Sequence, residues 1–530
     1  MTDDEQAGTA WSRRRFLGAM GGVAGLAALA QVPLESSALA APRPPSVGYP
    51  FTLGIASGDP APDGVVLWTR LAPEPLAPNG AGMPAQAVGV DWQVATSPAM
   101  QPIVRSGTSQ ALPELAHSVH VELTGLEPDR EYWYRFRYRD DLSPVGRTRT
   151  TPAFGAQPSE LRFAFASCQS WPSGFYSAYG HLAEEDLDLV VHLGDYVYES
   201  GLPADGGLRR TPVPSQLRQD CKTLDRWRLQ YALYKSDPDL QLAHERFPWV
   251  VTWDDHEVDN DYAGSRSRYG GNIRPVRAAA YQAYYEHQPL RRASIPTSGE
   301  MRLYRRIPYG DLAEFSVLDG RQYRSVPPCG WGEAPACSAA YDPAVTMLGS
   351  EQESWLHSGL SASRAQWNVL ANNVLMARLD HDGPAGDILW HDAWDGFPSA
   401  RNRLTDHLAA AQVRNPVVIT GDWHSTFVND IHQDFDRPDS PVVATEFVGS
   451  SISSNGDGEV YGPYYGPMIQ YNPHIRFFDG DRRGYVRCTL DRQQWRTDLQ
   501  MVDTVSRRDA AKYTFASFAV ENGLPGAQPL

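Results

Sequence analysis

Four stretches of this chain end an apolar run on side chains that bind metals or move protons. They are Ser167-Cys168, Gly194-Asp195-Tyr196-Val197-Tyr198, Asp254-Asp255-His256-Glu257 and Gly421-Asp422-Trp423-His424. One such ending is commonplace, because Asp readily caps the helix that follows a strand. Four of them, carrying a thiol, carboxylates, a phenol and imidazoles, are hard to assign to capping and point to a metal site. Asp195, Asp255 and Asp422 supply the hard oxygen that Ca2+, Mg2+ or Mn2+ prefers. Tyr198 needs a strong Lewis acid to ionise, since a free phenol has a pKa of about 10. Ferric iron meets that need and also accepts the Cys168 thiolate, so a mixed site of iron and a hard cation is expected. The plainer alternatives are a packed aromatic at Tyr198 and an inert buried thiol at Cys168.

Such residues must be carried by strands that end at one edge. The runs Leu161 to Ala166 and Asp188 to Leu193 read as strands buried on both faces, as in a parallel sheet. In open α/β sheets chemistry collects beyond the carboxyl ends of strands. Further strands are expected at Pro248 to Trp253, Leu312 to Leu318, Trp367 to Met376, Pro416 to Thr420, Val442 to Phe447, Tyr485 to Leu490 and Trp495 to Met501. Helices are expected over Leu224 to Lys235, Arg277 to His287 and Arg401 to Val413. Ser350 with Glu353 reads as a capping box opening another. The alternation places an α/β domain over residues 158–501. The segments 199–222, 261–273 and 325–349 are too long for plain connections and read as loops covering a site. Arg321, just past a strand end, would hold a phosphate oxygen or pair with Asp319 or Glu314. His391, Asp392, Asn372 and Asn373 are read as structural or turn residues as readily as ligands.

Residues 41–150 read as a separate β-sandwich domain of fibronectin type, with short β-rich runs split by Gly, Pro and Asp turns. Residues 502–530 read as a tail in which Tyr513 to Val520 forms a helix. At 530 residues, two domains suit the length. The net charge of −16 argues against nucleic acid or an anionic membrane as partner. A phosphate ester stays admissible, because a metal supplies local positive charge. Residues 1–40 read as an export address: Ser12-Arg13-Arg14-Arg15-Phe16-Leu17 is a twin-arginine pattern, and Ala38-Leu39-Ala40 offers a cleavage site. The expected mature chain begins near Ala41 outside the cytoplasm, after passage through the twin-arginine export machinery, with no stable membrane span. Of five cysteines, Cys329 and Cys337 flank one short loop and are the expected disulfide; Cys168 is expected to stay a thiol.

The order SCQ, GDYVYE, TWDDHEVDNDYAG, DGRQYR, QWNVLANN and GDWH resembles the PhoD-type alkaline phosphatase and phosphodiesterase family, within the metallophosphoesterase group that includes purple acid phosphatases. The resemblance runs over roughly residues 45–500. It implies an α/β fold in which a fibronectin-like β-sandwich precedes a two-sheet αββα catalytic domain. It also implies Fe3+ and Ca2+ as cofactors, with Asp195 bridging the metals and Cys168 and Tyr198 on the iron side. His256 resembles the group's phosphate-contacting histidine. Asp255 falls where the wider group usually has Asn, and Asp422 and His424 fall where many relatives have two histidines. Both changes add negative charge and favour oxygen-loving cations. Asn260 is a further candidate calcium ligand, and Asp195, His256, Arg321 and His424 are the candidate catalytic residues. The implied activity is hydrolysis of phosphate esters by metal-activated water or oxide. A diesterase for phospholipids or teichoic-type polymers is the alternative, and a non-catalytic binding module the third reading.

Overall fold

The computed structural model describes residues 48–530 save Asn79 and Pro438. The twin-arginine segment and the expected cleavage site therefore lie outside the described residues. The chain opens with β1 (Ile55–Ala61), β2 (Gly64–Arg70), β3 (Val88–Ala95), β4 (Ile103–Ala111), β5 (Ser118–Glu122), β6 (Glu131–Tyr138), β7 (Asp141–Leu142) and β8 (Gly146–Arg149). Strand β6 shows why these residues form sheet: Tyr132, Tyr134, Phe136 and Tyr138 are buried while the residues between them are not. Its buried side meets Leu67, Val90 and Val94, giving a sandwich of β1-β2-β5 against β4-β3-β6-β7.

This sandwich shares one of its sheets with the rest of the chain. Strand β1 pairs in parallel with β11 (Pro248–Val251), Ser57 opposite Pro248 and Gly58 opposite Trp249. One sandwich wall is thus the end of a ten-stranded sheet, β24-β23-β22-β21-β9-β10-β11-β1-β2-β5. That pairing spans nearly two hundred residues of chain, and local periodicity carries no trace of it.

The second part of the chain alternates as expected, through β9 (Leu161–Ala166), α1 (Ser177–Leu182), β10 (Leu189–His192), α2 (Leu224–Lys235), α3 (Pro238–Arg246), β11 and α4 (Arg274–His287). It continues with β12 (Arg305–Tyr309), β13 (Ala313–Val317), β14 (Glu333–Pro335), α5 (Gly349–Ala362), β15 (Trp367–Asn372), β16 (Ile388–Trp390), α6 (Pro398–Ala410) and β17 (Pro416–Thr420). Then come β18 (Thr426–His432), β19 (Val442–Val448), α7 (Tyr461–Tyr465), β20 (Ile475–Asp479), β21 (Arg483–Leu490), β22 (Gln494–Val502), β23 (Lys512–Glu521) and β24 (Leu524–Pro529). Strands β12, β13, β15, β17, β19, β18 and β20 form a second, seven-stranded sheet. Phe163, Phe165 and Val191 of the first sheet meet Phe315, Val369 and Ile419 of the second in the central core. Helices α1 to α4 cover the outer face of the first sheet, and α5 and α6 that of the second. The result is the four-layer αββα order.

Two local expectations are corrected. The run Tyr513 to Val520 is not a helix but most of β23, antiparallel to β22 with Trp495 opposite Val520. Phe515 and Phe518 reach Phe477 of the second sheet, with ring centres 5.9 and 5.2 Å apart, and close the central core along one side. An edge strand needing a partner outweighs the weak helical pattern of FASFAV. Helix α5 lacks the capping box: Gly349 N–H donates to Thr346 Oγ1 at 2.9 Å, and Glu353 turns to Arg403 at 2.6 Å. Cys329 and Cys337 form the expected disulfide, whereas Cys168, Cys221 and Cys488 are free and buried. Among the described residues, no helix is long and apolar enough to cross a membrane.

Candidate metal centre

The parallel strands of both sheets end in line. His192 of β10 lies opposite Ala166 of β9 and Val251 of β11, and Thr420 of β17 lies opposite Asn372 of β15 and Val448 of β19. The turns leaving these strands consequently meet between the two sheets. Several of their residues take left-handed backbone angles: φ is 61° at Cys168, 55° at Asp195, 66° at Asp422 and 53° at His424. Each costs about 1–2 kcal/mol for a residue with a Cβ, and such strain gathers where geometry serves function. Glu257 holds two of the turns together. Its carboxylate accepts the backbone N–H groups of Asp195, Tyr196 and Asp254 at 3.1, 2.6 and 2.8 Å.

Four sets of donor atoms come together here, each set within 4.8 Å: Cys168, Asp195 and His424; Asp195, Asp255 and His256; Asp254, Asp255 and Asp422; and Asp255, Asp261 and Asp392. Asp195 belongs to two of them and Asp255 to three. Tyr198 joins the first, its hydroxyl 2.9 Å from Asp195 Oδ2, 3.2 Å from His424 Nε2 and 2.6 Å from Ser454 Oγ. His256 packs against the Tyr198 ring at 4.3 Å and places Nδ1 2.7 Å from Glu199 Oε2.

The donor set suits cations. Asp195 Oδ1 and Asp254 Oδ2 are buried and make no hydrogen bond, a costly state unless something positive faces them; Asp255 Oδ1 makes none either and has Arg321 Nη2 3.7 Å away. Burial, with Asp255 and Asp195 nearby, pushes Asp254 above the ordinary carboxylate range despite Arg321. Burial and then Asp254 push Asp422 well up. Burial also raises Cys168 and Tyr198, with Asp195 adding to both, so they remain thiol and phenol until a strong cation draws off their protons. Burial alone would lower His256, but Asp255, Glu199 and Asp195 together hold it well above its usual value, as an imidazolium.

Residues 163–499 match the family model for the PhoD-like phosphatase, and residues 36–152 match that for its N-terminal domain. The chain belongs to the PhoD-like phosphatase family. Alkaline phosphatase D of Bacillus subtilis (strain 168) is 46% identical over 520 residues, which is 97% of this chain and 88% of that protein. A solved structure of PhoD superposes with a TM-score of 0.87 at 47% identity, covering 92% of this chain and 93% of that one.

Within this PhoD-like frame, Cys168, Asp195, Tyr198, Asp255, His256, Asp422 and His424 converge. Of the two readings of Arg321, a grip on a phosphate oxygen and a structural ion pair, the geometry is that of the second. The residue is fully buried beneath the acidic turns, its Nε 2.5 Å from Asp254, Nη1 2.5 Å from Asp392 and Nη2 3.4 Å from Asp422. Neither Asp319 nor Glu314 takes its guanidinium; Asp319 accepts its backbone N–H at 3.1 Å. Asn260 is held by its backbone N–H to Glu199 at 3.3 Å, while the acids grouped with Asp255 on that side are Asp261 and Asp392. Asn373 ties two turns together through Gly320 N–H at 2.8 Å and the carbonyl of Trp253, in keeping with a turn role. Sequence reasoning missed Asp254, Glu257, Asp261 and Ser454 as parts of the site. The first three sit inside a motif already singled out. Ser454 lies in a serine-rich loop that carries no signal of its own.

Proposed function

We propose that this chain is an exported, metal-dependent phosphoesterase whose centre holds Fe3+ beside Ca2+. The observation that carries the reading is Asp195, shared between a set with a thiol and an imidazole and a set with a second carboxylate and an imidazole, its buried Oδ1 making no hydrogen bond. Cys168, Tyr198, Asp195 and His424 would hold the iron, and Asp195, Asp255, Asp422 and Asn260 the calcium. Bound cations would supply Lewis acidity, making a nucleophile of water and stabilising charge on the leaving oxygen. The residues around them do the rest. Asp195 and Asp255 set the spacing of the two halves. His256, its Nδ1 held 2.7 Å from Glu199 Oε2, would turn its other ring nitrogen to a phosphate oxygen. Glu257 keeps the turns bearing Asp195 and Asp254 at fixed separation. No side chain is required to attack phosphorus, so a chiral ester should react with inversion. Export rests on the twin-arginine pattern and the Ala38-Leu39-Ala40 site.

The test is metal content and visible spectrum of the purified enzyme, with Tyr198→Phe beside it. The expected result is bound iron and calcium, with a tyrosinate-to-iron absorption band that the variant loses. An active, colourless, iron-free enzyme would refute the iron assignment. Rates on a monoester, a diester and a phospholipid then rank the substrate classes.

A further inference from the structure

Helix α7 stands beside the centre, and nothing in the proposed chemistry uses it. Its Tyr461 hydroxyl oxygen lies 3.3 Å from Nδ1 of His424, the two rings edge to face with centres 6.0 Å apart. The other ring nitrogen, Nε2, faces inward, 3.2 Å from the Tyr198 hydroxyl and 3.8 Å from Asp195 Oδ2. A histidine that binds a cation through one nitrogen generally donates its second N–H to an oxygen, which fixes both tautomer and ring rotation. Tyr461 provides an oxygen in that place.

Five residues of helix cannot hold a position unaided. Tyr464 of α7 donates its hydroxyl to Glu333 Oε2 at 2.8 Å, and Glu333 Oε1 lies 3.0 Å from His381 Nδ1. Glu333 starts β14, inside the loop closed by Cys329 and Cys337, and β14 pairs with β16. On its other side Tyr465 stacks on Tyr461 with ring planes 8° apart and contacts Trp423, the residue between Asp422 and His424. Gly462 lies so close to Asp481 that a Cβ would collide with its carboxylate.

We propose that Tyr461 is a positioning residue for His424, held in place by the Cys329–Cys337 loop through Glu333 and Tyr464. This rests on the metal-centre reading above. Tyr461→Phe keeps the ring against Tyr465 and removes only the oxygen at Nδ1. Wild type and variant are loaded with Fe3+ and Ca2+ and challenged with excess EDTA. Iron release is followed alongside kcat and KM for p-nitrophenyl phosphate and the melting temperature. Tyr461→Phe should lose iron about 10-fold faster, the low end for removing an outer-shell partner, with kcat reduced, KM little changed and melting of the metal-free protein unaltered. Tyr464→Phe and Glu333→Gln, both away from His424, should move release in the same direction by less. Iron release at the wild-type rate in a folded Tyr461→Phe overturns the role given to Tyr461. Should that variant not fold, wild-type release in both remote variants overturns the proposal. A wild type that retains no iron yet hydrolyses the ester overturns the metal-centre reading and this inference with it.

Discussion

Arg321 shows how structure chooses between two meanings of a single residue. Past a strand end it suggests a grip on substrate or an ion pair; buried, it is the counter-ion beneath a cluster of aspartates. Asp254, Asp392 and Asp422 lie within ion-pair reach of its guanidinium, and Asp255 Oδ1 is 3.7 Å from Nη2. Their mutual repulsion is strong at these separations, and one fixed cation keeps the turns together when no metal does. Arg321→Met should therefore cost about 3–5 kcal/mol, the usual penalty for leaving buried charge uncompensated. The loss should be greatest in EDTA and partly recovered by added Ca2+. Melting curves with and without the ion check this, and a Ca2+-independent drop would show that Arg321 acts through packing alone.

Among the elements, the turn after β10 is the least replaceable. Gly194 has φ of 111°, and a Cβ there would lie 2.6 Å from the Asp254 backbone nitrogen. The glycine lets the turns bearing Asp195 and Asp254 approach closely enough for Glu257 to bind both. Gly194→Ala should cost about 1–3 kcal/mol in backbone strain alone and push those turns apart, lowering activity with the overall fold retained. Denaturant midpoints together with kcat measure it; an unchanged midpoint and rate would show the turn to be tolerant.

At the scale of the whole molecule, Lys235 joins the parts. It ends α2, is buried, and lies 4.3 Å over the Trp68 ring of β2 and 5.3 Å over Tyr196 in the turn that carries Asp195. Burial lowers it from 10.5 to about 7. Between those values the unfolded chain binds the proton and the folded chain does not. Its contribution to stability therefore rises with pH across that window and is lost as pH falls through it. The two aromatic faces attract the ammonium and make the rise shallower than burial alone would. Lys235→Met should flatten the dependence, gaining on wild type at about pH 7 relative to about pH 10. Parallel melting curves at both pH values check the sign; parallel shifts at both would show that the lysine stays charged when folded.

What the sequence by itself determined was local in origin. Apolar runs ending in polar clusters located β9, β10, β11 and β17, and with them Cys168, Asp195, Tyr198, Asp255, Asp422 and His424, because the end of a buried strand is readable within a dozen residues. The disulfide across the Cys329–Cys337 loop was legible for the same reason. Only the tertiary structure decided what depends on chain segments far apart. It made the first β domain continuous with the main sheet through β1 and β11, and turned the tail into β23 and β24. It also turned Arg321 inward and brought Ser454 and Tyr461 against Tyr198 and His424. Those outcomes rest on which edges, charges and hydroxyls meet across the fold, and periodicity along the chain holds no record of such meetings.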